Sequence, residues 1–230
     1  MADFTYLYDN LSLVREKMCE AAERAGVPVP TLVPVTKAGS DDELLALAAL
    51  GVGDIAENRP QELVRRGALL AGCGYRPRLH EIGTLQTNKV RLILPVVHLI
   101  QSVDSIPLAR EIEKRAKTAG KTVSVLLEVN SAREENKSGV SPDEAEPLAV
   151  FLHEAEHLCF SGVMTMGPVC ENPEDIRPFF RETKRLFDRL SPLFETDVPI
   201  LSMGMSDSFE VGIEEGATLV RVGRRLFTKK

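Results

Sequence analysis

"LVPVTKAGSDDE", residues Leu32 to Glu43, is the stretch on which the fold turns. Leu32, Val33, Val35 and Thr36 form a short apolar, β-branched run of the kind that pairs inside a buried sheet. Ser40 and Asp41 then read as the cap of a helix, with Glu43 in its first turn. A strand that stops on Lys37 and passes at once into a helix is one β–α unit. A lysine at that point either snorkels past a sheet edge or stands at the mouth of a barrel, its amine ready to condense with a carbonyl.

The unit repeats along the chain. Further β-rich runs lie near Asp54–Glu57, Arg78–Ile82, Val96–Ile100, Thr122–Val129, Phe160–Met164, Ile200–Ser202 and Thr218–Val222. Helical spacing marks the stretches near Asp41–Leu50, Pro60–Leu70, Leu85–Leu94, Ile106–Ala119, Pro142–His157, Pro173–Leu190 and Ser206–Glu215. An additional helix, Phe4 to Ala25, precedes them and stops at Gly26 and Pro28. Strands separated by helices pair in parallel, because each crossover needs a helix. Eight such units close a (β/α)8 TIM barrel, and 230 residues suit that fold. An open doubly wound sheet is the architectural alternative. With no long linker and no low-complexity segment, residues 1–230 are expected to form a single domain.

Composition removes several function classes. A net charge of −6 and the lack of a basic stripe argue against a nucleic-acid partner. No apolar run reaches the length of a membrane span, and the N-terminal "MADFTYLYDN" lacks the features of a signal peptide. Cys19, Cys73, Cys159 and Cys170 are widely spaced and read as reduced, mostly buried thiols of a cytoplasmic protein.

In a (β/α)8 barrel the chemistry sits at the C-terminal ends of the strands. Polar and glycine residues gather there: Lys37 after the first strand, Asn58 after the second, Gln86 and Asn88 after the third, "SMGMS" after the seventh and "VGRR" after the eighth. Gly204 allows close backbone approach. The loops after strands seven and eight are the usual phosphate site of this fold. In a closed barrel they adjoin strand one and Lys37. An amine beside a phosphate cradle suits pyridoxal 5′-phosphate, whose aldehyde a lysine binds as a Schiff base. Arg221, just inside the end of strand eight, is placed to reach the pyridine nitrogen. Having donors only, it would keep that nitrogen unprotonated and weaken the ring as an electron sink. Asn58 either orders its loop or contacts the cofactor. Met164 and Met166 read as barrel core, and Lys137 as a solvated loop lysine or, alternatively, a second acceptor of cofactor in transit.

The motifs "LVPVTK", "IAENRPQEL", "LHEIGTLQTNKVR", "LLEVNSAREENKSGV", "SGVMTMGP" and "LSMGMSDSFEVGIEEGATLVRVG" together resemble the YggS/PROSC family of pyridoxal phosphate homeostasis proteins, nearly end to end. The resemblance implies the fold-type III barrel of the alanine racemase N-terminal domain. It implies cofactor on Lys37, phosphate contacts from Ser202, Gly223 and Arg224, and a pyridine-nitrogen contact from Arg221. It also implies a protein without robust catalysis, which buffers pyridoxal phosphate or delivers it to apo enzymes within vitamin B6 homeostasis. Separately from the resemblance, a monomer is expected. Arg224 departs from the threonine often found after the matching glycine; this removes a hydroxyl, keeps the backbone N–H and adds a charge. The chain also ends in "LFTKK" where "IFG" is more usual.

Two rival functions follow from residues alone. "HEAEH", His153 to His157, matches the H-E-x-x-H of zinc proteases, which needs both histidines on one helix face and a third ligand. A racemase on the same cofactor needs a second acid/base group opposite Lys37. The tyrosines are Tyr6, Tyr8 and Tyr75, none at the end of an expected strand; a cysteine or Lys137 is the alternative for that role, and no catalytic residue and no metal ligand is assigned.

Overall fold

The computed structural model describes residues 4–229. Its strands are β1 (Thr31–Pro34), β2 (Asp54–Glu57), β3 (Arg78–Glu81), β4 (Leu99–Val103), β5 (Val123–Val129), β6 (Leu158–Thr165), β7 (Ile200–Ser202) and β8 (Leu219–Val222). Its α-helices are α1 (Thr5–Ala25), α2 (Asp41–Ala49), α3 (Pro60–Gly72), α4 (Val90–Ile93), α5 (Ile106–Ala119), α6 (Ala145–Glu154), α7 (Arg177–Leu190), α8 (Phe209–Glu214) and α9 (Arg224–Phe227).

All the strands pair in parallel, in the order β1-β8-β7-β6-β5-β4-β3-β2. The two ends of that sheet, β1 and β2, meet through one isolated bridge, Val35 to Ala56, so the sheet curls into a nearly closed barrel. This is the (β/α)8 architecture that the alternation of elements predicts. The two-residue period of the strands sorts side chains to either wall. Val33, Val35, Ala56 and Leu219 fill one part of the interior, and Leu99, Leu126 and Met164 fill another with Met166 against them. Residues of the opposite parity, such as Ile55, Ile100, Val163 and Val220, join the helices in the larger outer core.

The helix after Lys37 starts as its sequence dictates. Ser40 Oγ accepts from the Glu43 N–H at 3.2 Å, and Glu43 Oε2 accepts from the Ser40 N–H at 2.6 Å, a complete capping box. α1 ends on Gly26 in the left-handed conformation, whose N–H returns to the last turn. Other boundaries move. The expected strand Val96–Ile100 lies at Leu99–Val103, because Pro95 to Val97 turn the chain out of α4 and because polar Gln101 and Ser102 belong to the buried strand. The expected helix Leu85–Leu94 divides into a 3-10 turn at Thr87–Lys89 and the short α4. The helix expected to Pro142–His157 stops at Glu154.

Candidate functional site

The barrel mouth holds a cleft of about 190 Å³ at the ends of β1, β6, β7 and β8. Lys37 lies on its edge, exposed, in a 3-10 turn (Thr36–Ala38) beyond β1 and not on the strand itself. That turn is held from outside the barrel. Thr36 donates to Glu57, and Arg66 of α3 donates to the Thr36 carbonyl, to the Gly39 carbonyl at 2.7 Å and to Glu57 at 2.9 Å. Burial pushes the Glu57 carboxyl above its ordinary value, with the Thr36 bond and the Arg66 charge opposing. Arg66 and Thr36 are contributors that sequence reasoning missed. Arg66 sits mid-helix among charged neighbours, and nothing in its local pattern marks it as buried.

Arg221 forms part of the cleft floor and is 2% exposed. Its Nη2 donates to the Thr165 carbonyl at 2.9 Å and meets Met166 Sδ at 3.4 Å, while Nη1 donates to Ser202 Oγ. Burial pulls the guanidinium down to about 10, with the Glu128 carboxylate opposing, so Arg221 is a cation at neutral pH. Gly223 and Arg224 line the neighbouring wall with Ser206 and Asp207. The Gly223 N–H donates to Ser206 Oγ at 3.2 Å, and the Arg224 side chain turns to Asp207. Among the described residues the N–H groups of Ser206 and Arg224 have no acceptor within the protein, and both belong to cleft-lining residues. The facing wall is apolar, built from Met166, Pro168, Val169 and Ile176.

The structure therefore brings Lys37, Arg221, Gly223 and Arg224 to one cleft and leaves the other expected residues outside it. Ser202 is fully buried beneath Arg221, donating to Gln101 Oε1 at 2.7 Å. It stands in register with Leu219, one layer deeper than Arg221. Ser206, the next serine along, occupies the rim where Ser202 is expected. Gly204, at φ +93°, accepts the Arg221 N–H at 3.1 Å through its carbonyl. A Cβ there would lie 2.8 Å from Phe209 Cα, so glycine is what lets this loop fold against α8. Asn58 is half-buried, and its backbone packs so closely on Gly83 that a Cβ on the glycine would lie 2.2 Å from the Asn58 carbonyl oxygen.

The zinc-helix reading does not survive. α6 ends at Glu154, so His157 falls in the turn beyond it and the two imidazoles do not share a helix face. His153 Nδ1 lies 3.0 Å from the Leu193 carbonyl and His157 Nδ1 lies 3.0 Å from Glu113. Among the described residues no group of three or more His, Cys, Asp or Glu side chains is arranged to hold a metal. No described helix is long and apolar enough to cross a membrane.

Residues 10–229 match the family model of the alanine racemase N-terminal domain, which gives the class of this barrel. An alanine racemase from Clostridium difficile shares that fold at a TM-score of 0.75, with 17% identity over 98% of this chain and 56% of its own. Closer relatives narrow the class. A pyridoxal phosphate homeostasis protein from Aquifex aeolicus is 40% identical over 96% of this chain and 97% of its own length. Its namesake from Helicobacter pylori strain 26695 is 35% identical over 99% of both. PipY of Synechococcus elongatus, solved with PLP bound, superimposes at a TM-score of 0.79 with 26% identity, covering 94% of this chain and all of that one. The chain belongs to the family of pyridoxal phosphate homeostasis proteins.

Proposed function

We propose that this protein binds pyridoxal 5′-phosphate in the barrel-mouth cleft and serves vitamin B6 homeostasis by buffering the cofactor or passing it to apo enzymes. The observation that carries the reading is that Lys37 and the buried cation Arg221 border one cleft, beside a rim of N–H groups without acceptors. The residues present fit the group. The Ser206 and Arg224 N–H groups offer donors to a phosphate, while the Arg224 guanidinium is paired with Asp207 on the same wall. A Cβ at Gly223 would come within 3.2 Å of the Val35 carbonyl oxygen, so the glycine lets the chain after β8 lie close against the end of β1. Arg221 presents donors to a ring nitrogen, and the apolar wall of Met166 and Ile176 suits a planar ring. The bound cofactor supplies an aldehyde with which the Lys37 amine can condense.

A binding role is favoured over racemase chemistry by what borders the cleft. The titratable side chains there, apart from Lys37 and the arginines, are Asp207, which is paired with Arg224, and Cys170. Tyr6, paired with Glu43, Tyr8 and Tyr75 lie elsewhere. No tyrosine therefore lines the cleft opposite Lys37, and Cys170 is the cleft-lining side chain left to act as an acid/base partner there. In this reading the chain works in the cytoplasm as a monomeric unit spanning residues 1–230.

The test is an absorption spectrum of the purified protein after incubation with pyridoxal 5′-phosphate, followed by borohydride reduction and peptide mapping. We expect about one reduced adduct per chain, on Lys37, and its loss in Lys37→Ala. A protein that stays colourless, or an adduct found only at other lysines, would overturn the assignment.

A further inference from the structure

A run of hydrogen bonds crosses the barrel interior from its floor to the cleft. Asp54 begins β2 and Arg78 begins β3, at the face opposite the mouth. Arg78 Nη2 donates to Asp54 Oδ2 at 2.6 Å, and Asp54 Oδ1 lies 2.9 Å from His80 Nε2. His80 Nδ1 lies 2.9 Å from Gln101 Nε2, Gln101 Oε1 lies 2.7 Å from Ser202 Oγ, and Ser202 Oγ meets Arg221. His80, Gln101, Ser202 and Arg221 are each no more than 2% exposed, so bulk solvent does not reach the run.

The bonds run in one direction along the chain of groups. Arginine only donates, so Ser202 Oγ accepts from Arg221, and its own hydrogen is aimed at Gln101 Oε1. The Gln101 amide nitrogen then faces His80 Nδ1, which has to accept. The ring proton therefore sits on Nε2 and goes to Asp54. Burial works to raise the Asp54 pKa, but bonds from His80 and Arg78 outweigh it and hold the carboxyl below its ordinary value, as a pure acceptor. The ring of His98 stands 5.8 Å from that of His80 without joining the run.

We propose that His80 and Asp54, far from the cleft, are positioning residues for Arg221: through Gln101 and Ser202 they fix the hydrogen-bond polarity that holds the guanidinium in place on the cleft floor. The inference rests on the reading that Arg221 faces the cofactor ring. A second acceptor, the Thr165 carbonyl, restrains Arg221 from β6, but a carbonyl does not select the orientation of Gln101 or the tautomer of His80.

The experiment has one arm without cofactor and one with it. The apo chain labelled with ¹⁵N at histidine is expected to show His80 as the Nε2–H tautomer, and Ser202→Ala is expected to move both of its ring-nitrogen signals. A ring that averages its tautomers in the parent, or signals unmoved in Ser202→Ala, overturns the proposal whether or not any cofactor binds. The second arm titrates the parent, His80→Leu and His80→Asn with pyridoxal 5′-phosphate while recording spectra. Loss of one buried hydrogen-bond link predicts roughly three- to tenfold weaker binding and a shifted band for His80→Leu. His80→Asn sets an oxygen near the place of Nδ1, still able to accept from Gln101, but does not reach Asp54, and is expected to recover affinity and band in part; no recovery over His80→Leu overturns the proposal. His80→Leu indistinguishable from the parent overturns the proposal. If His80→Leu does not fold, Gln101→Glu takes its place. A carboxylate only accepts, so His80 has to carry a proton on Nδ1 as well as the one on Nε2 that faces Asp54, and an Nδ1 that stays without a proton is the overturning result. A parent that binds no cofactor refutes the proposed function, and the histidine signals then decide the inference alone.

Discussion

Arg221 has donors only, and its bonds to Ser202 and Thr165 already fix the plane of its guanidinium. Replacing it with glutamate sets a carboxylate against the Thr165 carbonyl and removes a charge-assisted bond. Such a bond contributes on the order of 1.5–3 kcal/mol, so Arg221→Glu is expected to bind pyridoxal 5′-phosphate roughly ten- to a hundredfold more weakly, with an altered spectrum. Titration beside the parent checks this; matching affinity and spectrum would mean that the guanidinium does not touch the ring. Glu81 offers a different test, of stability. Burial raises its carboxyl to about 8, nearby Glu57 adding to the effect and the Gly83 N–H at 3.1 Å opposing it, and Oε2 has no partner. Its folded-state pKa lies above the ordinary 4.5, so its contribution is complete below that value and is lost as pH rises through about 8. Between pH 6 and 9 this single group removes roughly 2–3 kcal/mol, at about 1.4 kcal/mol per unit. Glu81→Gln keeps the Gly83 acceptor and does not titrate, so urea unfolding should show the variant gaining on the parent as pH rises. Parallel pH profiles would contradict the protonated state.

α1 lies outside the β–α repeat, and its attachment to the barrel is specific. Leu7, Leu11, Val14 and Met18 form its buried stripe, at the spacing that the sequence displays. Asn10, in the same face, donates to the Leu226 carbonyl at 3.0 Å and the Thr228 carbonyl at 2.9 Å, binding α1 to the end of α9. Asn10→Ala leaves those acceptors without that donor and is expected to lower unfolding free energy by about 1–3 kcal/mol, measured by urea denaturation. A change within error would reduce the contact to packing. At this scale the sequence is legible wherever one local signal is decisive: the capping box at Ser40, the glycine end of α1, the two-residue alternation of the strands. It misleads where tertiary context overrides pattern. The polar pair Gln101–Ser202 looks like a strand end and is barrel interior. Ser202 and Ser206 flank the same glycine, and only the strand register tells which of them reaches the rim. HEAEH carries the spacing of a zinc helix but loses its helix one turn early.

At the scale of the molecule, neighbouring strands among the described residues are joined in parallel ladders from β2 round to β7, β8 is laddered to β1, and β7 meets β8 at one registered pair, Ser202 with Leu219. Between β1 and β2 the described residues make a single isolated bridge, Val35 to Ala56, and the side chains Thr36, Glu57 and Arg66 complete the seam. Arg66→Met keeps the aliphatic stem and removes the cation, which leaves Glu57 buried without its charged partner. Breaking a buried pair in this way typically costs about 3–5 kcal/mol, and the already raised pKa of Glu57 lets it take up a proton and moves the expectation to the lower end. Chemical denaturation of the variant measures it, and a loss below about 1 kcal/mol would show that the seam does not depend on the arginine. The barrel is thus a hoop with a clasp, and the clasp is fastened at the turn that carries Lys37. Regions of a protein open independently at free energies well below global unfolding where few backbone bonds hold them. Here that low-energy opening would part the wall next to the amine while β5 and β6, with the longest ladder, stay shut. A binding protein so built has a way for its cargo to leave that does not require the fold to be lost.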